Sequence, residues 1–255
     1  MEKNEPLVKM ISICKSFGTV EALKGVDLVL YQNEVAGLVG DNGAGKSTLM
    51  KVLTGALIPT SGEIFIEGEK VHFTHPHQSR DKGIEMIYQD MALAGNIDVP
   101  GNIFLGRELK RNLFGTPLQI LDRKKMEEES QKVLAQLKIK VSSLKTRVSN
   151  LSGGQQKAVA IGRSISRKAK VIIMDEPTAA LSPKAVSKLL DLIRRIKDAG
   201  GVSIIFISHR LQDIFLVGDR VMILREGKMV GDKKIKETTP EEVANLMVGA
   251  DLIKN

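Results

Sequence analysis

Apolar residues form short continuous runs along the chain, and predicted helices separate some of these runs. The runs at 35–39, 171–174 and 202–207 have the length and composition of strands that are buried on both faces. A helix is predicted between the last two runs, from near Pro183 to Ala199. This pattern predicts an α/β fold with a mainly parallel sheet flanked by helices.

The N-terminal part of the chain predicts an additional antiparallel β subdomain. Residues 7–30 are predicted to form strands, with a turn at Gly25. The segment from Gly62 to Gly68 is predicted to form a hairpin-like element with turn glycines at both ends. We expect these strands to form an antiparallel sheet beside the strand at 35–39.

The composition changes between Asp90 and about Val148, where Gly and Pro residues recur. A charged helix is predicted from about Arg123 to Lys138, with Asp122 as its N-cap. We expect this region to be a helical insert and not a separate domain.

Three short elements complete the prediction. The segment from Gly83 to Gln89 is predicted to be a buried strand that ends in a polar residue. Residues 221–230 are predicted to form a hairpin that turns at Glu226–Gly227, and a short capped helix is predicted from Pro240 to Val248.

Composition narrows the class of protein. The 255 residues are 42% hydrophobic and 27% charged, which is sufficient for one compact domain with an inserted subdomain. No apolar run approaches the ~18 residues needed to span a bilayer. From the polar residues at the start of the sequence, we expect no signal peptide. The single cysteine, Cys14, allows no internal disulfide, which fits a reducing cytoplasm.

The net charge of +8 invites a nucleic-acid interpretation, but we expect no nucleic-acid partner. Lysines and arginines are spread along the chain, and two tyrosines with no tryptophan offer little surface for base stacking. A soluble surface, or a surface that faces anionic lipid headgroups or an acidic partner, explains the charge more simply.

Three histidines, His72, His75 and His77, lie close together and raise the question of a metal site. Pro76 lies among them, and no cysteine is close by in the sequence. We therefore favour a surface connection from a strand to a helix.

The clearest chemical motif follows the apolar run at 35–39. Gly40, Gly45, Lys46 and Ser47 fit the phosphate-binding pattern G-x-x-x-x-G-K-[ST]. Its glycines allow backbone N–H groups to turn toward an anion, and the following helix adds the positive end of its dipole. We expect Lys46 to bind the β- and γ-phosphates and Ser47 to bind Mg²⁺. The predicted phosphate-loop residues are Gly40, Asn42, Gly43, Ala44, Gly45, Lys46, Ser47 and Thr48.

Two carboxylates, Asp175 and Glu176, follow the apolar run at 171–174. Open α/β sheets bind ligands at the carboxyl ends of their strands. In a Mg²⁺–nucleotide site, Asp175 would hold the metal, usually through water, and Glu176 would polarise the attacking water. The alternative is that the two acids only cap the next helix.

A second glycine-rich helix start occurs at Leu151–Gln156, and we expect it to bind another anion. Its Ser-Gly-Gly turn precedes a helix predicted over 157–166. Alone, such a turn is a weak signal, but here it lies between a phosphate loop and an Asp-Glu strand.

With these motifs together, the chain resembles the ATP-binding subunits of ABC transporters. The resemblance covers nearly the whole chain, because five motifs occur in the family's order and spacing. These are the phosphate loop Gly40–Thr48, Gln89, the signature Leu151–Gln155, the strand with Asp175 and Glu176, and His209.

The resemblance implies a P-loop NTPase fold in one ABC ATPase domain over 1–255. Residues 1–89 and about 165–255 would form a RecA-like core with the antiparallel β subdomain. Residues from about 90 to 164 would form the helical signature subdomain.

The resemblance also implies roles for single residues. Phe17 would stack on adenine with Val20 beside it. Gln89 would contact Mg²⁺ and the lytic water and sense the transmembrane partner. Glu176 would be the general base and His209 would contact the γ-phosphate. The implied catalytic residues are Glu176, His209 and Gln89, and the implied metal ligands are Ser47, Gln89 and Asp175.

The signature motif implies a head-to-tail dimer that holds two ATP molecules. Its residues Ser152, Gly153, Gly154 and Gln155 would bind ATP held by the opposite subunit. ATP would close the dimer and hydrolysis would reopen it. The helical insert would receive a short helix of a transmembrane permease subunit, which places the chain at the cytoplasmic face of the membrane.

Three further segments, 102–108, 207–211 and 219–227, resemble ATPases that import simple sugars such as ribose or xylose. A separate sugar-binding protein would then be an indirect partner. Those ATPases often carry two fused copies of the domain, and this chain has one, so a homodimer or a pair with a second ATPase is expected.

One departure from the family pattern concerns the loop after Thr178. The family usually has Ser-Ala-Leu-Asp there, whereas this chain has Ala-Ala-Leu-Ser and ends on Ser182. We expect the missing acid to weaken communication across the dimer or the ATPase rate without abolishing activity. A non-transport ABC ATPase, an importer ATPase for another solute and a degenerate regulatory subunit remain as alternatives.

Overall fold

The structure, a computed structural model, describes residues 5–90, 92–113, 118–139, 141 and 143–249. The strands are β1 (Val8–Phe17), β2 (Val20–Leu30), β3 (Val35–Val39), β4 (Ser61–Ile66), β5 (Glu69–Val71), β6 (Ile84–Ile87), β7 (Lys110–Asn112), β8 (Gln119–Leu121), β9 (Val171–Asp175), β10 (Ser203–Ile207), β11 (Arg220–Arg225) and β12 (Lys228–Lys234). The α-helices are α1 (Lys46–Leu53), α2 (Pro76–Asp81), α3 (Val99–Ile103), α4 (Arg123–Gln136), α5 (Gly153–Ser166), α6 (Pro183–Ala199), α7 (Leu211–Val217) and α8 (Pro240–Val248).

The chain folds into two compact units. The first comprises residues 1–89, 170–178 and 197–255, and the second comprises 90–169 and 179–196. Within the described ranges, no helix is long and apolar enough to cross a membrane.

A six-stranded sheet in the order β12-β11-β3-β10-β9-β6 forms the centre of the first unit. Only the β11–β12 pair is antiparallel, and the other neighbours run parallel. Every residue of β3 and β10 is buried, as expected for strands covered on both faces. The predicted parallel α/β core is confirmed.

A second sheet in the first unit has the order β2-β1-β4-β5 and is antiparallel throughout. The predicted antiparallel subdomain is therefore confirmed, but the predicted turn at Gly25 is wrong. The chain reverses at Gly18, between β1 and β2, because Phe17 pairs with Val20. Gly25 is an extra residue inside β2 with a φ of 74°, since its neighbours Lys24 and Val26 pair with consecutive residues of β1.

The predicted turns at Gly68 and Gly227 are confirmed, but Gly62 lies inside β4. A Cβ at Gly62 would lie 2.6 Å from the carbonyl oxygen of Ser12, so the residue allows close approach of two strands. The connection through His75 from β5 to α2 is the predicted strand-to-helix link. In the described ranges, no group of three or more His, Cys, Asp or Glu side chains is placed to hold a metal.

The second unit contains α3, the β7–β8 hairpin, α4, α5 and most of α6. Asp122 caps α4 by accepting a hydrogen bond from the N–H of Lys125, as predicted. This unit has its own apolar core, which comprises Val99, Ile103, Phe104, Met126, Leu134, Val148, Leu151 and Val159.

Candidate functional site

The phosphate loop connects the buried strand β3 to α1. A Cβ at Gly40 would lie 2.0 Å from the carbonyl oxygen of Leu224, and one at Gly45 would lie 2.8 Å from that of Ala22. Both glycines also have positive φ angles, 149° and 105°. The fold therefore admits only glycine at these two positions, for steric and conformational reasons together.

Gly45 is the N-cap of α1 and provides no side chain to accept from the first-turn N–H groups. The N–H groups of Lys46, Ser47 and Thr48 are consequently available to an anion. Ala44 is buried beneath the loop, whereas Asn42 is exposed on it.

Lys46 is held in the loop by its own backbone. Its Nζ donates to the carbonyl oxygens of Gly40 and Asp41 at 2.6 and 3.0 Å. Burial lowers the pKa of Lys46, and the negative charges of Glu176 and Asp175 oppose that shift. Both carboxylates predicted for the site therefore act electrostatically on the ammonium group.

Asp175 ends β9 and Glu176 follows it, at the carboxyl edge of the parallel sheet. Burial raises the pKa of Asp175, and the charge of Glu176 raises it further, while Lys46 and Lys51 act in the opposite direction. Lys51, on α1, was not among the predicted site residues, because one-dimensional spacing does not bring that helix turn to Asp175.

His209 follows β10, and its Nδ1 lies 2.8 Å from Oε2 of Glu176. The side chain of His209 is 65% exposed and that of Glu176 is 18% exposed. The two atoms lie within hydrogen-bonding distance, but Oε2 has no correctly aligned hydrogen-bond partner within the described residues. Gln89, two residues beyond β6, is exposed at the same edge of the sheet.

The predicted adenine contacts, Phe17 and Val20, pair with each other across the β1–β2 turn. They are 48% and 64% exposed, which is high for apolar residues. Nζ of Lys15 lies 5.3 Å from the centroid of the Phe17 ring and occupies one of its faces. The same strand β2 passes the phosphate loop at Ala22.

The signature residues lie in the second unit. Ser152 is the N-cap of α5, its Oγ accepts from the N–H of Gln155 at 3.4 Å, and its own N–H donates to Oε1 of Gln155 at 3.0 Å. The helix begins at Gly153, not at the predicted 157, so Gly153 and Gly154 are helical and not part of a loop.

A cavity of about 680 Å³ lies beside this end of α5, within the second unit. Residues 152–155 line it together with Ser182, Lys184 and Lys188. The α6 lysines are not among the predicted site residues, because a lysine in an amphipathic helix gives no signal that distinguishes a ligand-binding side chain from a solvated one.

Comparisons with known proteins agree with this geometry. The family model described as "ABC transporter" matches residues 23–179. The xylose/arabinose import ATP-binding protein XylG of Sulfolobus acidocaldarius is 43% identical over 97% of this chain and 96% of its own length. The ribose import ATP-binding protein RbsA 2 of Escherichia coli O157:H7 is 42% identical over 97% of this chain, which spans 47% of that protein.

A solved structure, a nucleotide-free ATP-binding cassette from an ABC transporter, superposes with a TM-score of 0.81. It is 27% identical, and the match covers 98% of each chain. The likeness therefore extends over both units of the fold and not only over the phosphate loop.

Proposed function

The chain belongs to the ABC transporter family of ATP-binding proteins and is an ATPase, and on that premise we propose that it powers the import of a simple sugar. The observation that carries the catalytic part of the proposal is the convergence of Lys46, Asp175, Glu176 and His209 on one edge of the parallel sheet.

ATP would bind with its phosphates in the turn between β3 and α1. The N–H groups at the start of α1 would bind phosphate oxygens, and Lys46 would exchange the carbonyl oxygens of Gly40 and Asp41 for phosphate oxygens. Phe17 would stack one ring face on adenine, since Lys15 occupies the other face.

The side chains proposed as metal ligands fit Mg²⁺. The proposed ligands, Ser47, Gln89 and Asp175, all offer oxygen atoms, which Mg²⁺ prefers. Asp175 is a partly buried carboxylate, and burial raises its pKa. A cation beside it would therefore relieve an existing desolvation cost. Mg²⁺, when bound, supplies positive charge that stabilises the phosphate oxygens during transfer.

Hydrolysis requires a group that takes a proton from the attacking water. We assign this role to Glu176, because its Oε2 is nearly buried and has no aligned hydrogen-bond partner in the described part of the chain. The water oxygen would attack the γ-phosphorus as its proton passes to Glu176, and ADP would leave. His209 would contact the γ-phosphate beside Glu176, and Gln89 would contact the same water.

The signature residues Ser152, Gly153, Gly154 and Gln155 are proposed to bind ATP held by a second ATPase subunit, head to tail. The start of α5 at Gly153 supports this role, because the positive end of a helix dipole favours an anion there. Closure around ATP and reopening after hydrolysis would then transmit force to the transporter.

The proposed solute is a monosaccharide, in agreement with the names of the xylose/arabinose and ribose import relatives. We propose that the chain associates with transmembrane permease subunits at the cytoplasmic face of the membrane. A sugar-binding protein would act indirectly, by delivering the solute to the permease.

Affinity purification of the chain from its native membrane, followed by mass spectrometry, tests the transport role. Recovery of a polytopic permease and a sugar-binding protein is the expected result. Recovery of ribosomal or DNA-repair proteins without a membrane subunit would overturn the transport role and leave the ATPase chemistry intact.

Proteoliposomes with the recovered permease and binding protein then test the solute. We expect ATP hydrolysis to rise when xylose, ribose or galactose is supplied with the binding protein. The variant Glu176→Gln is the control, because it should show no stimulation with any sugar. Stimulation by a solute of another class and by none of the sugars would contradict the sugar assignment.

A further inference from the structure

We propose that the β7–β8 hairpin of the second unit binds the headgroup region of an anionic lipid bilayer. The hairpin surface consists of Lys110, Arg111, Leu118, Leu121, Lys124 and Lys125, all of which are exposed. The role is additional to nucleotide hydrolysis, since none of these residues belongs to the proposed ATP site.

Charge is concentrated in this part of the chain. Residues 107–125 contain six lysines or arginines and two acids, a net charge of +4 out of +8 for the whole protein. Each cation near an anionic membrane surface contributes about 1 kcal/mol to binding. The two strands contribute Lys110 and Arg111, and the other four cations flank the strands within these 19 positions.

The two acids in this stretch are engaged locally. Glu108 accepts a hydrogen bond from the N–H of Gly106 at 2.9 Å, and Asp122 caps α4. Among the cations, Arg123 pairs with Asp98 at 2.5 Å. Three further acids, at 127–129, lie one helical turn beyond the cations at 123–125, whereas Lys110 and Arg111 lie on the strand β7.

The register of the hairpin places a leucine on each of its faces. Lys110 pairs with Leu121 and Arg111 pairs with Ile120, and paired residues lie on the same face. By alternation along β8, Leu118 shares the face of Ile120 and lies opposite to that of Leu121. Leu118 is 64% exposed and Leu121 is 47% exposed.

Exposed leucines on both faces of one narrow ribbon favour a lipid over a protein partner. A protein surface would cover one face and leave the other leucine in water. A headgroup layer surrounds both faces at once, and it offers apolar contact to the leucines and phosphates to the flanking cations. An acidic protein would satisfy the charges but not both leucines.

Flotation of the purified full-length chain with lipid vesicles tests the proposal. We expect binding to vesicles of phosphatidylcholine with about one-quarter phosphatidylglycerol, and at least about tenfold weaker binding to phosphatidylcholine alone. High salt should weaken binding to the anionic vesicles, because it screens the charges but not the leucine contacts.

Two variants separate the charges from the leucines. Lys110→Glu with Arg111→Glu should reduce binding to anionic vesicles at least about tenfold. Leu118→Ser with Leu121→Ser should remove the binding that survives high salt. The matched control is Lys228→Glu with Lys236→Glu, two exposed lysines of the first unit, which makes the same change in net charge and should alter binding less than about twofold.

The ATPase rate of each variant reports whether the chain is folded, and we expect it to stay within about twofold of the parent. If the control variant lost as much vesicle binding as the Lys110 and Arg111 variant, the binding would depend on net charge alone, and the proposal would be overturned. Absence of binding by the parent chain to anionic vesicles would overturn it as well. Neither result depends on ATP, permease or sugar, so the proposed function is tested separately.

Discussion

Nδ1 of His209 and Oε2 of Glu176 lie 2.8 Å apart at the ends of two adjacent parallel strands, β10 and β9. The N–H of Glu176 donates to the carbonyl oxygen of Ile207 at 3.0 Å, which fixes the backbone from which the carboxylate projects. Glu176 has a φ of 47°, a conformation that costs free energy for a residue with a Cβ. The fold thus fixes the backbone at Glu176 and holds its carboxylate beside His209.

Glu176→Gln should slow phosphate release by at least about 100-fold while ATP still binds, because the amide cannot accept the proton of the attacking water. The ATP-bound dimer should accumulate and elute earlier than the parent in size-exclusion chromatography with Mg²⁺ and ATP.

Glu226→Gln is a matched control, since Glu226 is an exposed glutamate with a φ of 49° in the β11–β12 turn. It makes the same substitution in the same backbone conformation and should leave hydrolysis unchanged. Normal turnover in the Glu176 variant would exclude Glu176 as the general base.

Asp175→Asn should raise the melting temperature of the nucleotide-free protein at neutral pH by about 1–3 °C. Burial raises the pKa of Asp175 in the folded state, so its ionised form destabilises the fold above that pKa. As the pH falls through the raised pKa toward the ordinary value of 3.8, the parent loses this cost and the advantage of the variant disappears.

Thermal unfolding across pH, with and without Mg²⁺ and ATP, measures both effects of this substitution. The variant should lose most of the stabilisation that Mg²⁺–ATP gives the parent, because a proposed metal ligand is gone. Asp198→Asn, at an exposed position of α6, is the control and should change neither quantity. Full stabilisation of the Asp175 variant by Mg²⁺–ATP would remove Asp175 from the metal site.

Phe17→Ala should weaken ATP binding by about 3- to 10-fold, the range expected for the loss of one stacked aromatic contact. Titration with a fluorescent ATP analogue measures the affinity. Tyr31→Ala removes another exposed aromatic side chain of the same unit and should have no effect on it. An unchanged affinity in the Phe17 variant would place adenine elsewhere.

The sequence predicts those parts of the fold that local chemistry determines. The capping by Asp122, the turn at Gly227 and the buried strand β3 depend on neighbouring residues, and each prediction of them is confirmed. The turns predicted at Gly25 and Gly62 are wrong. A lone glycine in an extended segment fits a turn, a bulge or a close strand contact equally well, and the structure has a bulge at Gly25 and a close contact at Gly62.

The sequence determines some of the side-chain arrangements at the site but not others. The order of motifs places Lys46, Asp175 and His209 after parallel strands, from which their convergence follows. The effect of Lys51 on Asp175 and the position of Lys15 over Phe17 depend on three-dimensional packing between separate elements. No spacing rule along the chain contains that information.

A buried ion pair joins two distant parts of the first unit and gives a prediction about stability. Arg220 donates from Nε to Oε1 of Glu34 at 2.6 Å and from a terminal nitrogen to Oε2 at 3.0 Å. Their side chains are only 11% and 10% exposed. Arg220 also pairs with Asp232, whose side chain is 46% exposed.

Arg220→Met should lower the free energy of unfolding by about 3–5 kcal/mol, because it leaves the carboxylate of Glu34 buried without its partner. Asp232→Asn should cost less than about 1 kcal/mol, since water solvates that end of the network. Combining Arg220→Met with Glu34→Gln should recover part of the loss, because the second change removes the unpaired charge. Urea denaturation of the four proteins measures these differences, and equal costs for the Arg220 and Asp232 variants would show that burial does not set the strength of this network.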